Sequence, residues 1–177
     1  MTISYNWLCD YLPDNLTAKP EPEELSKILT SVGLEVEQLS RYESVKGSLE
    51  GLVVGEVAEC EPHPNADKLK VTRVYVGKET LQIVCGAPNV AVGQKVIVAL
   101  VGTTLYPESG ESLTIKAAKI RGVDSQGMLC AEDEIGLGKS HTGIVLLPEN
   151  LRPGSAVSDH LKPYTDFIYE IGLTPNH

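Results

Sequence analysis

Aromatic residues make up only 5% of the 177-residue chain, with one Trp and one Phe. A core built around a few large rings is therefore excluded, and the interior must come mostly from Val, Leu, Ile and Ala. No apolar run approaches the ~18 residues of a membrane-spanning helix, so no membrane partner is expected. The N-terminal MTISYNWLCDYL lacks the basic start and apolar stretch of a secretory signal, which predicts a cytoplasmic protein. The four cysteines, Cys9, Cys60, Cys85 and Cys130, form no C-x-x-C pair. That argues against a disulfide framework or zinc knuckle and for buried thiols in a reducing compartment.

Catalytic and metal motifs are equally scarce. There is no H-E-x-x-H, and although His63 and Asp67 are four residues apart, Pro64 forbids a normal helix through them. His141 and His160 lie in different segments, so no metal is expected. Ser125 sits in GVDSQGM, which is not a G-x-S-x-G elbow. The glycines of GLG and GKSH match no phosphate-loop or dinucleotide spacing. Glu132, Asp133 and Glu134 could hold a cation or move a proton, but such a run reads first as a solvated loop. A hydrolase using Ser125, Glu132 or Asp133 is the weakest of the functional readings, and no catalytic residue is expected.

Positive charge is also in short supply: the formal net charge is −9. A general nucleic-acid coat is excluded, because phosphate contacts need Lys and Arg. The distribution is uneven, however. Residues 1–39 carry two Lys and seven acids, whereas residues 40–150 hold eleven of the chain's fifteen Lys and Arg against fourteen acids.

What is abundant is turn chemistry, with sixteen Gly and eleven Pro. Ser4 suits the cap of a short helix over SYNWLCDYL that Pro13 stops. A second helix begins near Pro22, with Glu21, Glu23 and Glu24 at its positive end and Leu25, Ile28, Leu29 and Val32 as one apolar stripe. Gly33 suits a left-handed cap, and GLEVEQL leaves as an alternating strand. From Gly51 the texture changes to LVVGEVAEC, LKVTRVYVG, LQIVCGA, KVIVALVG and LTIKAAKI, then GMLCAE and GIVLL. Short β-branched strands separated by Gly, Pro and Asn, with no long helix, predict a small barrel. After Pro148 the pattern changes again, to a loop, a short helix and a final strand, TDFIYEIGL. A chain that stops on Thr-Pro-Asn-His just after a strand reads as cut from a longer one.

Two stretches carry chemistry within the barrel region. In HPNADKLKV, Pro62 and Pro64 stiffen the approach, and Asn65 and Asp67 can bind nearby backbone. Leu69, Val71 and Val74 are expected to enter the interior, with a phase change near Thr72. Lys68, Lys70 and Arg73 remain as cations, with Lys68 and Lys70 at alternate positions on one strand face. In KAAKIRGVDSQGM, Lys116, Lys119 and Arg121 precede a glycine-flanked turn, and Ser125 and Gln126 add neutral donors. Such a wall can hold phosphates and base edges; exposed Lys on a strand more often serves only solubility.

The same residues carry a resemblance. HPNADKLKV, VCGAPNV and IRGVDSQGMLCAEDEIGL resemble, in order and spacing, the tRNA-binding domain of the methionyl-tRNA synthetase C-terminus and of the endothelial monocyte-activating polypeptides. That family has an oligonucleotide-binding (OB) barrel. The flanks MTISYNWLCDYL, LSKILTSVGLEVEQL and EIGLTPNH resemble the start of bacterial phenylalanyl-tRNA synthetase beta chains. The resemblance implies an α+β, mainly β protein: a five-stranded OB-fold barrel over residues 41–150, inserted in a small, discontinuous α/β flanking domain made of residues 1–40 and 151–177. It implies tRNA as partner, along with the remainder of a longer beta chain and an alpha chain in an α2β2 heterotetramer. It also implies ATP and magnesium for the whole enzyme, with no cofactor in this region. Lys68, Lys70, Arg73, Lys116, Lys119 and Arg121 would supply phosphate contacts. His63, Asn65, Asn89, Ser125, Gln126 and Met128 would form the adjoining surface. The alternative is a packing module whose tRNA contact is incidental.

Overall fold

The computed structural model describes residues 1–173; the turn expected at Thr-Pro-Asn-His lies outside them. From the N-terminus the elements are β1 (Thr2–Ser4), α1 (Tyr5–Cys9), α2 (Pro22–Ser31) and β2 (Val36–Glu43). There follow β3 (Leu52–His63), β4 (Ala66–Tyr75), β5 (Thr80–Cys85), β6 (Lys95–Ala99), β7 (Thr104–Leu105) and β8 (Leu113–Thr114). The chain continues through β9 (Ala118–Ile120), β10 (Val123–Ser125), β11 (Met128–Leu129), a 3-10 turn at Glu132–Glu134, β12 (Leu146–Leu147), α3 (Val157–Leu161) and β13 (Thr165–Ile171). The protein is α+β and mainly β. It divides into two compact units, Met1–Ser44 with the segment from Tyr164 onward, and Val45–Pro163.

In the first unit, β13 is the middle strand of an antiparallel sheet ordered β1-β13-β2. Ser4 caps α1 by accepting the Trp7 N–H at 3.1 Å. The helix is shorter than the sequence predicts: it ends at Cys9, and tighter i→i−3 bonds from Tyr11 and Leu12 finish the turn before Pro13. α2 starts with Pro22 in its first turn and ends as expected, with Gly33 at φ +97° and the Leu34 N–H returning to the Leu29 carbonyl. Leu25, Tyr169 and Ile171 form the buried centre.

Tyr169 is fully buried and donates its hydroxyl to the Pro22 carbonyl at 2.7 Å; Tyr5 donates to the Pro20 carbonyl at 2.8 Å. Burial pushes both phenols up to about 12. A raised native value disfavours the phenolate, so their contribution is complete below pH 10 and disappears as pH climbs towards 12. This unit should therefore unfold at alkaline pH. Tyr169→Phe, which leaves the Pro22 carbonyl unpaired, should cost about 1 kcal/mol in denaturant titrations at neutral pH.

The second unit is built on an antiparallel sheet in the order β11-β6-β3-β4-β5, with β12 also pairing β6. β6 is buried on both faces: Ile97 and Ala99 join Leu52, Val54 and Leu105 in one core, and Val96 and Val98 join Val57, Val74 and Ile83 in the other. A strand buried on both sides needs no polar alternation, and its sequence shows none.

Two sequence expectations fail in detail. The core face of β4 is carried by Thr72 and Val74, both fully buried, while Leu69 and Val71 are half-buried. Thr72 is tolerated there because its hydroxyl donates to the Ile83 carbonyl at 2.7 Å. No phase change falls near Thr72: from Lys70 onward the even-numbered side chains face the core. LTIKAAKI is also not one strand. It splits into β8, paired with β7, and β9, paired with β10.

Candidate nucleic-acid interface

The β3–β4 turn is fixed by a buried histidine. His63, 5% exposed, accepts the Asn65 N–H through Nδ1 at 2.9 Å, which leaves Nε2–H to donate to the Ile120 carbonyl at 2.9 Å. Asn65 Nδ2 donates to the Arg121 carbonyl at 3.3 Å. Two loops more than fifty residues apart in sequence are thereby tied together. Arg121 (φ +49°) and Gly122 (φ +86°) are the central residues of the β9–β10 hairpin, with Ile120 opposite Val123. Two left-handed residues make the turn whose twist matches the strands.

Ser125 is no nucleophile. It is buried, its Oγ accepts the Val84 N–H at 3.0 Å, and it donates to the Gly127 carbonyl at 3.3 Å. Together with the Gln126 N–H on the Gln82 carbonyl (2.8 Å) and Gln82 Nε2 on the Asp124 carbonyl (2.8 Å), it stitches β10 alongside β5. Gln126 itself is exposed. Asn89 spends both side-chain groups on the backbone of Ile144, at 3.0 Å each, and so shapes a loop. Met128 is half-buried and packs on the first core. Neither Asn89 nor Met128 is bonded to the β3–β4 turn or to the β9–β10 hairpin.

The cations divide by strand parity. Lys68, Lys116, Lys119 and Arg121 are exposed, and none forms an ion pair among the described residues. Lys70, half-buried, extends the core face of β4 and reaches the Val90 carbonyl with Nζ at 3.3 Å. It lines a groove of about 370 Å³ with Cys60, Asp67 and Val92. Arg73 lies on the opposite face of β4, where Glu59 holds its Nε at 3.4 Å. The structure thus brings His63, Asn65, Lys119 and Arg121 to one end of the sheet and separates Arg73 from Lys68 and Lys70.

One pair escapes sequence reading. Asp133 and His141, eight residues apart, meet at 2.9 Å (Oδ1 to Nδ1), and the ligand atoms of Asp133, Glu134 and His141 lie within 4.8 Å of one another. Glu134 Oε1 already accepts the Ala131 N–H at 2.8 Å, so these bonds account for the cluster without an ion. Only the fold back of the GKSHTGI loop joins them, and no local spacing signals it. The hydrogen bond to Asp133, more than its charge, holds His141 protonated above its ordinary 6.5. What this pair contributes is complete below pH 6.5 and is lost as pH rises through the raised native value. An NMR titration should show His141 raised above its ordinary value, and Asp133→Asn should bring it back towards that value.

The family described as "Putative tRNA binding domain" matches residues 52–156, which contain the β3–β4 turn and the β9–β10 hairpin. The chain belongs to this family. It is similar to phenylalanine–tRNA ligase beta subunits, 52% identical to that of Bacteroides fragilis over 177 residues and 49% to that of Porphyromonas gingivalis, covering 99% of this chain in each case. The chain spans about a fifth (21%) of the length of those relatives. Among solved structures it is similar to the MetRS related protein of Pyrococcus horikoshii, at 26% identity and a TM-score of 0.44, over 60% of this chain and 87% of that one.

Proposed function

We propose that this family member is a tRNA-binding and positioning module of a phenylalanine–tRNA ligase beta subunit. In that setting the longer beta chain and an alpha chain, as an α2β2 heterotetramer in the cytoplasm, carry out ATP-dependent aminoacylation with magnesium. No residue of this chain is assigned to ATP or to the metal.

The observation that carries the reading is the His63 and Asn65 clamp on Ile120 and Arg121. OB-type barrels bind oligonucleotides on the face of their second and third strands and with the loops joining strands one to two and four to five. The order β11-β6-β3-β4-β5 supports such a barrel, with β4 and β5 as the binding strands and β10 held alongside β5 by the Gln126–Gln82 and Ser125–Val84 bonds. The clamp then joins the two binding loops and brings Lys119 and Arg121 to the turn that carries Asn65 and Lys68. A region with few cations binds through few phosphates. About three contacts, at ~0.7–0.9 each, give a slope of log K against log salt of about −2 to −3.

Filter binding of a tRNA transcript from ~50 to ~200 mM salt tests this. The expected result is weak, saturable binding that falls about 20- to 40-fold across the range. Affinity independent of salt, or no binding at low salt, would leave the packing role in its place.

A further inference from the structure

At the other end of β4 and β5 lies a cleft of about 650 Å³ that none of the motif residues lines. Val53, Val76 and Leu100 form its apolar floor, Tyr75 stands at its side, and Lys78 and Arg152 belong to its rim. Among the described residues neither cation forms an ion pair. Glu79, also on the rim, leaves the cleft with one net positive charge.

The two segments that carry the cations are held together by backbone packing. Gly77 (φ +95°) and Gly154 (φ +85°) meet face to face: a Cβ at Gly77 would stand 2.9 Å from the Pro153 carbonyl oxygen, and one at Gly154 would stand 2.6 Å from that of Val76. The Gly154 N–H also donates to the Val54 carbonyl at 2.7 Å, tying the segment to β3. Lys78 follows the first glycine and Arg152 precedes the second by two residues, so two sequence-distant cations flank one cavity. Tyr75 donates its hydroxyl to the Gly77 carbonyl at 2.7 Å, which fixes a ring that is 40% exposed.

We propose that this cleft is a second nucleotide subsite, taking a base of single-stranded RNA against Tyr75 and the apolar floor with its phosphate between Lys78 and Arg152. The inference rests on the RNA-binding reading above and extends it. An aromatic platform beside unpaired cations is how sequence-tolerant strand binders hold successive nucleotides, over about 4–16 nucleotides per barrel. Seven residues at ~3.4 Å place this subsite about 24 Å along β4 from Lys68, within reach of one strand.

The test is fluorescence anisotropy of a 12-nucleotide single-stranded RNA with the full chain, alongside thermal melts to verify folding. Lys78→Gln with Arg152→Gln should lower affinity about 25-fold at ~0.1 M salt and flatten the salt slope by about 1.4, at ~0.7 per lost contact. Tyr75→Ala should cost about fivefold or more, and Tyr75→Phe, which keeps the ring and loses only its tie to Gly77, should cost clearly less than Tyr75→Ala. If the Lys78/Arg152 variant keeps the parent's affinity and slope while Lys68→Gln/Lys119→Gln/Arg121→Asn loses binding, the subsite is wrong and the RNA-binding reading stands. If the unmodified chain binds neither this RNA nor tRNA in a salt-dependent way, both fall.

Discussion

Combining Lys68→Gln, Lys119→Gln and Arg121→Asn should lower the affinity for tRNA about 100-fold at ~0.1 M salt and flatten the salt slope by about 2. The three cations are exposed and form no ion pair among the described residues, so each phosphate contact would release a counterion without first breaking a salt bridge. Asparagine is chosen at Arg121 because that residue sits at φ +49°, a conformation Asn tolerates. The loss should be confined to binding, since among the described residues no hydrogen bond from these three side chains holds a loop; the Arg121 group that Asn65 engages is the backbone carbonyl. A variant that binds like the parent across the salt range would remove tRNA contact from this end of the sheet.

Asp166→Ala should destabilise the first unit by about 3 kcal/mol or more, with little change in the second. Asp166 is only 8% exposed, and burial by itself would favour the neutral acid. Three donors outweigh that: Ser4 Oγ at 2.5 Å, the Asn6 N–H at 3.0 Å and the Phe167 N–H at 2.7 Å. They hold the carboxyl below its ordinary 3.8. Hydrogen bonds to a buried charge contribute about 1.5–3 kcal/mol each and are not additive, so the total is set well below their sum. The loss is large because one residue ties β1 and the start of α1 to β13, and Ser4 serves at once as helix cap and donor. The pH signature follows from the lowered native value: the contribution is present above pH ~4 and disappears as pH falls through that value. Denaturant titration at neutral pH and a melt series from pH 7 to pH 3 measure both effects. An unchanged first unit in Asp166→Ala would contradict the staple.

Much of this was legible in the sequence, for identifiable reasons. α2 could be placed because Pro22, the first-turn acids, the Leu25/Ile28/Leu29 stripe and Gly33 are all local signals that agree. β4 is placed by its β-branched run, and Val74 enters the core as expected, but Leu69 and Val71 yield the core face to Thr72. Thr72 looks polar, and only the Ile83 carbonyl across the ladder makes it a core residue. That error bears on the site, because the same parity separates Arg73 from Lys70. LTIKAAKI reads as one strand by composition; its two halves divide because β7 and β10 claim different ends.

At the site, His63 and Asn65 stand out in the sequence as candidate ligand contacts, yet their partners are backbone carbonyls at 120 and 121, which no residue type announces. Ser125 and Asn89 illustrate the converse. Their motif positions suggested donors for a ligand, and both spend those donors on the protein's own backbone. Nothing local marks Lys78 and Arg152, because the Gly77–Gly154 contact that flanks their cleft joins residues 77 positions apart in sequence.

The central claim is that RNA meets the protein where the β3–β4 turn is clamped to the β9–β10 hairpin. The most direct measurement is an amide chemical-shift map of the chain titrated with tRNA at low salt. The account predicts that the largest changes fall on Asn65, Lys68, Lys119, Arg121 and Gln126, with Ile28 and Val32 of the other unit unmoved. Shifts centred on the first unit, with Asn65 and Arg121 unchanged at saturation, would contradict it.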